Sequence, residues 1–299
     1  MAHLRLFIFF FATLPALSHA ALNVFACEPE WAALTSELGG EAVKVYSATT
    51  AMQDPHRIEA RPSLIAQMRR AQMAVCTGAE LEIGWLPLLL RQSGNAAIQP
   101  GQPGYFEASR YVVMREKPAV LDRSQGDVHP SGNPHIQTDP RNIAKVAQAL
   151  AARMAEIDPE QAALYKARLN DFNTRWSAAM ARWQTQALPL KGVPIVVQHR
   201  AFPYLEDWLE LKQVAVLEPK PGVEASISHL AGVAVLLKTT PARAVLRAAY
   251  QNPRPAQWLS EHAGIPVVVV PFTVGGSARA KDLFGLFDDT LDQLLKASP

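Results

Sequence analysis

The stretch DPEQAALYKARLNDFNTRWSAAMARWQTQAL, residues 158–188, decides the architecture of this chain. Asp158 is a residue type that caps helix starts, Pro159 suits the first helical position, and Gln161 follows three residues after the cap. Apolar residues then recur at steps of three and four: Tyr165, Leu169, Phe172, Trp176, Met180, Trp183 and Ala187. This spacing predicts one helix of roughly 45 Å at about 1.5 Å per residue, the length of a whole domain.

On both sides of this helix, short apolar stretches alternate with helical patterns. Strands are predicted at residues 22–26, 42–46, 74–76 and weakly near Ala97, and then at 193–197, 214–217, 244–246 and 267–270. Short apolar strands separated by helices form mainly parallel sheets. We therefore predict an α/β protein of two lobes, each a mainly parallel sheet with flanking helices, joined by one long rigid helix. A single large domain around a core helix is the alternative.

The predicted domains are a signal peptide at residues 1–20, an N-terminal lobe at 21–157, the linking helix at 158–188 and a C-terminal lobe at 189–299. Arg5 precedes a short apolar run at residues 6–17, and Ser18-His19-Ala20 places small residues where a signal peptidase reads. The run is too short for a permanent membrane span. We expect cleavage near Ala20–Ala21 and export to the periplasm.

Composition excludes some classes of function. With 299 residues and 49% hydrophobic residues, the chain can bury cores for two domains. The formal net charge of +2 and the lack of long runs of like charge do not favour nucleic-acid binding.

Cys27 and Cys76 both follow predicted strands and could pair in an oxidising compartment, or remain two buried thiols.

Histidines stand at the predicted strand ends, where ligands of open α/β sheets collect. His56 follows the second strand, His199 follows the first strand of the C-terminal half, and His135 precedes a helix. Each is more often structural when it occurs alone, but the three together predict a metal site, since neutral imidazole binds zinc well. His129, in a Gly- and Pro-rich loop, is a possible additional ligand.

Four blocks resemble the zinc/manganese-binding family of solute-binding proteins from bacterial ABC importers. They are DPHRIEARPS from Asp54, GAELEIGW from Gly78, NPHIQTDP from Asn133 and VVQHRAFPYLED from Val196. The resemblance extends over nearly the whole chain after the signal peptide. It implies two lobes around a metal ion held by His56, His135 and His199, with a membrane permease as partner, and we expect a monomer.

The chain departs from the family after the last predicted strand, where the family has an acidic fourth ligand. The stretch PFTVGG, residues 271–276, has no carboxylate, so water, His129 or a carboxylate from another part of the chain could complete the site. Three imidazoles without this carboxylate favour Zn²⁺ over Mn²⁺, because manganese prefers oxygen ligands. Glu59, three residues after His56, and Asp139 are predicted to orient ligands from a second layer.

Two other classes of function compete with a zinc-binding protein for import. Three histidines and a water also build catalytic zinc, and Glu59 would then be the general base of a hydrolase. A binding protein for an iron chelate or a corrinoid would use the same two-lobe plan, but it would not need three histidines. We therefore expect no enzyme, and a periplasmic protein that captures zinc between two lobes and delivers it to an importer.

Overall fold

The computed structural model describes residues 20–119 and 126–297. The predicted signal peptide thus lies outside the described residues, apart from Ala20. The strands are β1 (Leu22–Ala26), β2 (Val43–Ser47), β3 (Met73–Cys76), β4 (Tyr105–Glu107), β5 (Pro194–Val197), β6 (Lys212–Val216), β7 (Ala244–Ala248) and β8 (Val267–Val270). The α-helices are α1 (Pro29–Gly39), α2 (Pro62–Arg70), α3 (Leu86–Ser93), α4 (Pro140–Ile157), α5 (Ala162–Gln186), α6 (Pro203–Leu209), α7 (Ile227–Leu236), α8 (Arg254–Ala263) and α9 (Leu283–Ala297).

The strands form two four-stranded sheets with the same plan, in the orders β2-β1-β3-β4 and β6-β5-β7-β8. All strand pairs in both sheets are parallel, which confirms the predicted fold class. In each sheet the chain first runs outward to one side and then crosses to the other. Ligands of such sheets bind beyond the carboxyl ends of the strands at this reversal, which here lies between β1 and β3 in one sheet and between β5 and β7 in the other.

The long helix α5 begins at Ala162, three residues after Pro159, the first helical position that the sequence pattern suggests. Pro159–Gln161 forms a separate 3-10 turn, and the amide of Asp158 bonds back to Met154 at the end of α4. The carboxylate of Asp158 accepts the hydroxyl of Tyr165 at 2.7 Å instead of capping α5. Asp158 therefore ends α4 and stabilises the first turn of α5 through Tyr165. The domain boundaries drawn from the sequence stay predictions.

The buried stripe of α5 ties the two halves together through aromatic side chains. Trp176 donates its indole N–H to the carbonyl of Pro140, at the start of α4. Trp176 and Trp183 also pack against Phe287 of α9, with ring centroids 5.6 and 5.2 Å apart. Buried residues of both sheets and of these helices form one continuous hydrophobic core. Because α5 contributes to the core on both sides, its two ends cannot turn independently.

A disulfide joins Cys27 and Cys76, so the paired alternative is the one that the fold adopts. The two cysteines lie at the carboxyl ends of the neighbouring strands β1 and β3, with their Cα atoms 4.8 Å apart.

One predicted strand is wrong. Ala96–Ile98 is a 3-10 turn capped by the Asn95 side chain, and the fourth strand lies further on, at β4. Among the helices of the described residues, none has both the length and the apolar character that a membrane crossing requires.

Beside the disulfide, two buried carboxyl groups share a hydrogen bond. Glu28 and Glu82 are 3% and 2% exposed, and Thr77 donates its amide N–H to both side chains. Burial raises the pKa of Glu82 to about 7. Burial, together with the negative charges of Glu82 and Glu30, also raises the pKa of Glu28 well above its ordinary value. Two carboxyl groups in contact need a proton between them, because two buried like charges repel.

Replacing Glu82 by Gln should make the stability of the fold less sensitive to pH. The raised pKa means that Glu82 favours folding at low pH, and that this contribution is lost as the pH rises from its ordinary 4.5 towards about 7. Gln keeps an acceptor oxygen but cannot ionise. Denaturant unfolding of both proteins between pH 4.5 and 8 should show the variant gaining stability relative to the parent as the pH rises. A difference that stays constant with pH would contradict the shared proton.

Candidate metal site

His56, His135 and His199 converge between the two sheets. One ring nitrogen of each lies within 4.8 Å of one nitrogen of the other two. The ring centroids are 5.3 to 5.9 Å apart. His56 comes from the loop after β2, His199 from the end of β5, and His135 from the turn that leads into α4. Residues far apart in sequence thus share one small site because the carboxyl ends of both sheets face each other.

Two carboxylates hold two of these imidazoles. Nδ1 of His56 lies 2.8 Å from Oδ1 of Asp54, and Nδ1 of His199 lies 2.7 Å from Oε2 of Glu218. An ionised carboxylate only accepts hydrogen bonds, so Nδ1 carries a proton in both rings, and in a neutral imidazole the lone pair then lies on Nε2. Nε2 of His56 is buried without a hydrogen-bond partner, and so is Nδ1 of His135. Buried nitrogens without a partner, on rings that converge, are suited to bind a metal ion.

The surroundings keep His129 and His135 neutral. Burial, and after it the neighbouring His56 and His199, lower the pKa of His135 well below its ordinary value. Burial and the same two neighbours lower the pKa of His129 to about 4. Although burial raises the pKa of Asp54, the hydrogen bond and charge of His56 bring it below its ordinary value. At neutral pH these two imidazoles thus keep nitrogen lone pairs in the same site as the ionised carboxylate of Asp54, which suits a divalent cation.

The orienting carboxylates are not the ones that the sequence suggested. Glu59 is exposed, and Asp139 caps α4 through the amide of Arg141 and pairs with its guanidinium. Asp54 and Glu218 take their place. Asp54 lies two residues before His56 and also accepts its backbone N–H, while Glu218 follows β6, the strand beside β5. The strand-end rule that found His199 could have found Glu218, had the strand order been known.

The fourth side of the cluster is apolar. Phe272 follows β8 with a left-handed φ of 72°, and its ring centroid lies 5.3 Å from that of His135. The next residue, Thr273, donates its hydroxyl to the buried Glu30 at 2.5 Å, so it is also engaged. Residues 271–276 include no Asp or Glu, so none of them can offer a carboxylate to the histidines. Where the family pattern has an acidic ligand, this chain therefore has the aromatic ring of Phe272 packed against His135.

His129 is the remaining imidazole near the cluster. Its ring centroid is 5.3 Å from that of His56, and its ring also bonds to the backbone of Ala79. It is not one of the three residues whose nitrogens all lie within 4.8 Å of one another. His129 is thus a neighbour of the site that a small loop movement could bring to an ion.

Sequence comparisons agree over nearly the whole chain. The sequence model of the ZnuA family, described as zinc-uptake complex component A, periplasmic, matches residues 24–297. The manganese ABC transporter substrate-binding lipoprotein scaA of Streptococcus gordonii is 21% identical over 267 residues, 89% of this chain and 84% of that protein. The metal ABC transporter substrate-binding lipoprotein SloC of Streptococcus mutans is 21% identical over 257 residues, 84% of this chain and 81% of that protein.

Solved structures share the fold. A crystal structure of ZnuA superimposes with a TM-score of 0.77 at 19% identity, covering 93% of this chain and 100% of that one. FpvC from Pseudomonas aeruginosa, in complex with Mn²⁺, gives a TM-score of 0.74 at 18% identity over 93% of this chain and 98% of that one. At this level of identity the likeness concerns the fold alone.

Proposed function

We infer the function of this chain from the family to which it belongs, the ZnuA family of periplasmic zinc-uptake components. Members of this family are the substrate-binding components of metal ABC transporters and are not enzymes. The hydrolase and the chelate- or corrinoid-binding alternatives therefore gain no support. We propose that the protein captures Zn²⁺ between its two lobes and delivers it to the membrane permease of an ABC importer.

One observation carries this proposal, the convergence of His56, His135 and His199 with their lone pairs free. Two of the rings are held by carboxylates at 2.8 and 2.7 Å, so little movement is required to bind an ion. A site arranged in advance loses less entropy on binding than one that must be assembled. His56 and His135 precede α5 and His199 follows it, so a bound ion would bridge the two halves of the chain.

The proposed ion is zinc because the donors are nitrogens. Relatives are named for manganese, and similar structures hold Mn²⁺ or Ni²⁺, so the fold alone does not choose among ions. Manganese prefers oxygen ligands, usually six, whereas zinc accepts three imidazoles and one further ligand. The Phe272 ring, 5.3 Å from His135, offers no oxygen on its side of the cluster.

Metal content tests the choice of ion. Untagged protein, dialysed mildly and analysed by elemental mass spectrometry, should carry one zinc ion per chain. In competition titrations, zinc should bind at least about a hundredfold more tightly than manganese, which follows the donor preferences of the two ions. Equal affinity for manganese would make the ion assignment wrong while leaving the transport function intact. Protein that binds neither ion would contradict the site itself.

Replacing His129 by Ala should lower the equilibrium affinity for zinc by less than about tenfold and change the rate of capture more. An ordered ligand on this loop loses chain entropy when it binds, which reduces its contribution to affinity. Stopped-flow mixing with zinc and an equilibrium titration separate the two effects. A loss of affinity as large as that of His135→Ala would instead make His129 a full fourth ligand.

We also propose that the mature protein starts near Ala21, after export, and acts as a monomer. The family and its relatives are extracytoplasmic components of importers, which supports export. Intact-mass measurement of protein from the periplasmic fraction should give the mass of the chain from Ala21, and light scattering should give the mass of one chain. An unprocessed N-terminus or a stable dimer would contradict these proposals.

A further inference from the structure

Three loops, two from the N-terminal half of the chain and one from the C-terminal half, meet beside the histidine cluster. The amide of Asp127 donates to the carbonyl of Pro221 at 2.9 Å, and Nη2 of Arg57 donates to the carbonyl of Gly222 at 3.2 Å. Arg57 and Asp127 also form an ion pair at 3.7 Å. We call these four residues, Arg57, Asp127, Pro221 and Gly222, the clasp.

The clasp is connected to proposed ligands at both ends. Arg57 directly follows His56 in the chain. On the other side, Oε2 of Glu218 accepts the amide N–H of Gly222 at 2.7 Å, and the same oxygen lies 2.7 Å from Nδ1 of His199. A movement that opens the clasp therefore pulls on the carboxylate that orients His199 and on the residue beside His56.

The clasp separates two cavities that reach the histidines. Cavities of about 530 and 350 Å³ lie on its two sides, and both reach His199, Glu218 and Asp127. The larger one also contains His129 and His135, and the smaller one contains His56. Asp127 lines both cavities, Pro221 lines the larger one, and Arg57 and Gly222 line the smaller one, so opening the clasp would join the two into one wider path to the histidines.

Two glycines allow the loops to approach this closely. Gly222 has a left-handed φ of +74°, and a Cβ atom there would lie 2.1 Å from Oδ2 of Asp127. Gly126 has a φ of +89°, and its Cβ would lie 2.3 Å from the carbonyl oxygen of Pro221. Both positions combine a backbone conformation that suits glycine with contacts that leave no room for a side chain.

We propose that the clasp is a gate, whose opening joins the two cavities and widens the path of an ion to and from the histidines, and which sets the exchange rates more than the affinity. The proposal rests on the proposed function, since it concerns the same site. The side chains of Arg57 and Asp127 are 65% and 45% exposed, and such exposed ion pairs are weak. A weak closure suits a protein that has to release its cargo to a partner.

Arg57→Ala and Gly222→Ala test the gate, with Arg61→Ala as the matched control. Arg61 is an exposed arginine four residues further on, before α2, and does not belong to the clasp. Zinc association and dissociation, measured by stopped flow with a chelating dye, should both rise about fivefold in Arg57→Ala, the effect of one exposed ion pair. Gly222→Ala should raise both rates by about tenfold or more, because the added Cβ forces the loops apart. Affinity should stay within about twofold in Arg57→Ala, and Arg61→Ala should match the parent in rates and in affinity.

Rates like those of the parent would overturn the gate while leaving zinc binding established. Faster dissociation without faster association would also overturn it, because the clasp would then act on affinity. Hydrogen exchange of the metal-free proteins gives an independent measurement. The amides of Asp127 and Gly222 should exchange faster in Arg57→Ala than in Arg61→Ala, and equal protection would contradict the clasp even if the parent bound no ion at all.

Discussion

Zinc binding should weaken by at least about a thousandfold when His199 is replaced by Ala. Loss of a group that only orients a ligand costs about 10- to 100-fold in metal affinity, and loss of the ligand itself costs more. His199 is 7% exposed, and its Nδ1 is already held by Glu218, so its other nitrogen is committed to the cluster. A competition titration against a chelator of known affinity measures the change.

Two further variants make this result specific. Glu218→Gln should cost about 10- to 100-fold, because it removes the charge that orients the His199 ring without removing the ring. His262→Ala should have no effect, since that exposed imidazole stacks on Trp258 at 3.7 Å on α8. If His199→Ala bound zinc as tightly as His262→Ala, a site bridging the two lobes would be wrong.

Removal of the disulfide should be the largest single loss of stability. Cys27 and Cys76 are 49 residues apart in sequence, and closing a loop of this length stabilises a fold by about 4 kcal/mol in the chain-entropy account. For a chain of this size that loss corresponds to roughly 10 °C in Tm. Thermal unfolding of the double variant Cys27→Ala/Cys76→Ala, followed by circular dichroism, should show a drop of this size.

Reduction provides the control for this experiment. The parent in excess dithiothreitol after full reduction should melt close to the double variant, and the double variant should not respond to the reductant. A double variant that melts within about 2 °C of the oxidised parent would contradict a stabilising disulfide. Zinc should be absent from both samples, because a bound ion raises Tm by mass action and would mask the effect.

The order of strands and helices follows from local patterns of apolar residues, so it could be predicted from the sequence. The apolar stripe of α5 depends on a period of 3.6 residues, and the short apolar strands β1, β5 and β8 are bounded by residues that end strands. Where non-local pairing creates an element, the prediction was wrong. β4 has only three residues and exists because it pairs with β3, whereas Ala96–Ile98 pairs with no strand in the part of the chain that the structure describes and turns under its Asn95 cap.

His56, His135 and His199 could also be singled out in the sequence, because each lies beside a predicted strand end or a proline. Their carboxylate partners were only partly readable. Asp54 was overlooked although it lies in the same motif as His56, while Glu59 received the role because it follows His56 by three residues. Glu218 is 19 residues from His199 in sequence, and only the pairing of β5 with β6 brings the two side chains together.

By itself, the sequence determined the alternation of strands and helices, the long joining helix, the family and the identity of the three central histidines, because each depends on short-range periodicity or on a local motif. The tertiary structure alone decided which cysteine state is adopted, that Glu218 holds the His199 ring, that Phe272 packs against His135, and that Arg57 and Asp127 meet the loop at Gly222. These contacts join residues from 19 to 165 positions apart, and their geometry depends on how two sheets pack around one helix. No local pattern encodes that packing, because the free energy that selects it comes from burying the shared core.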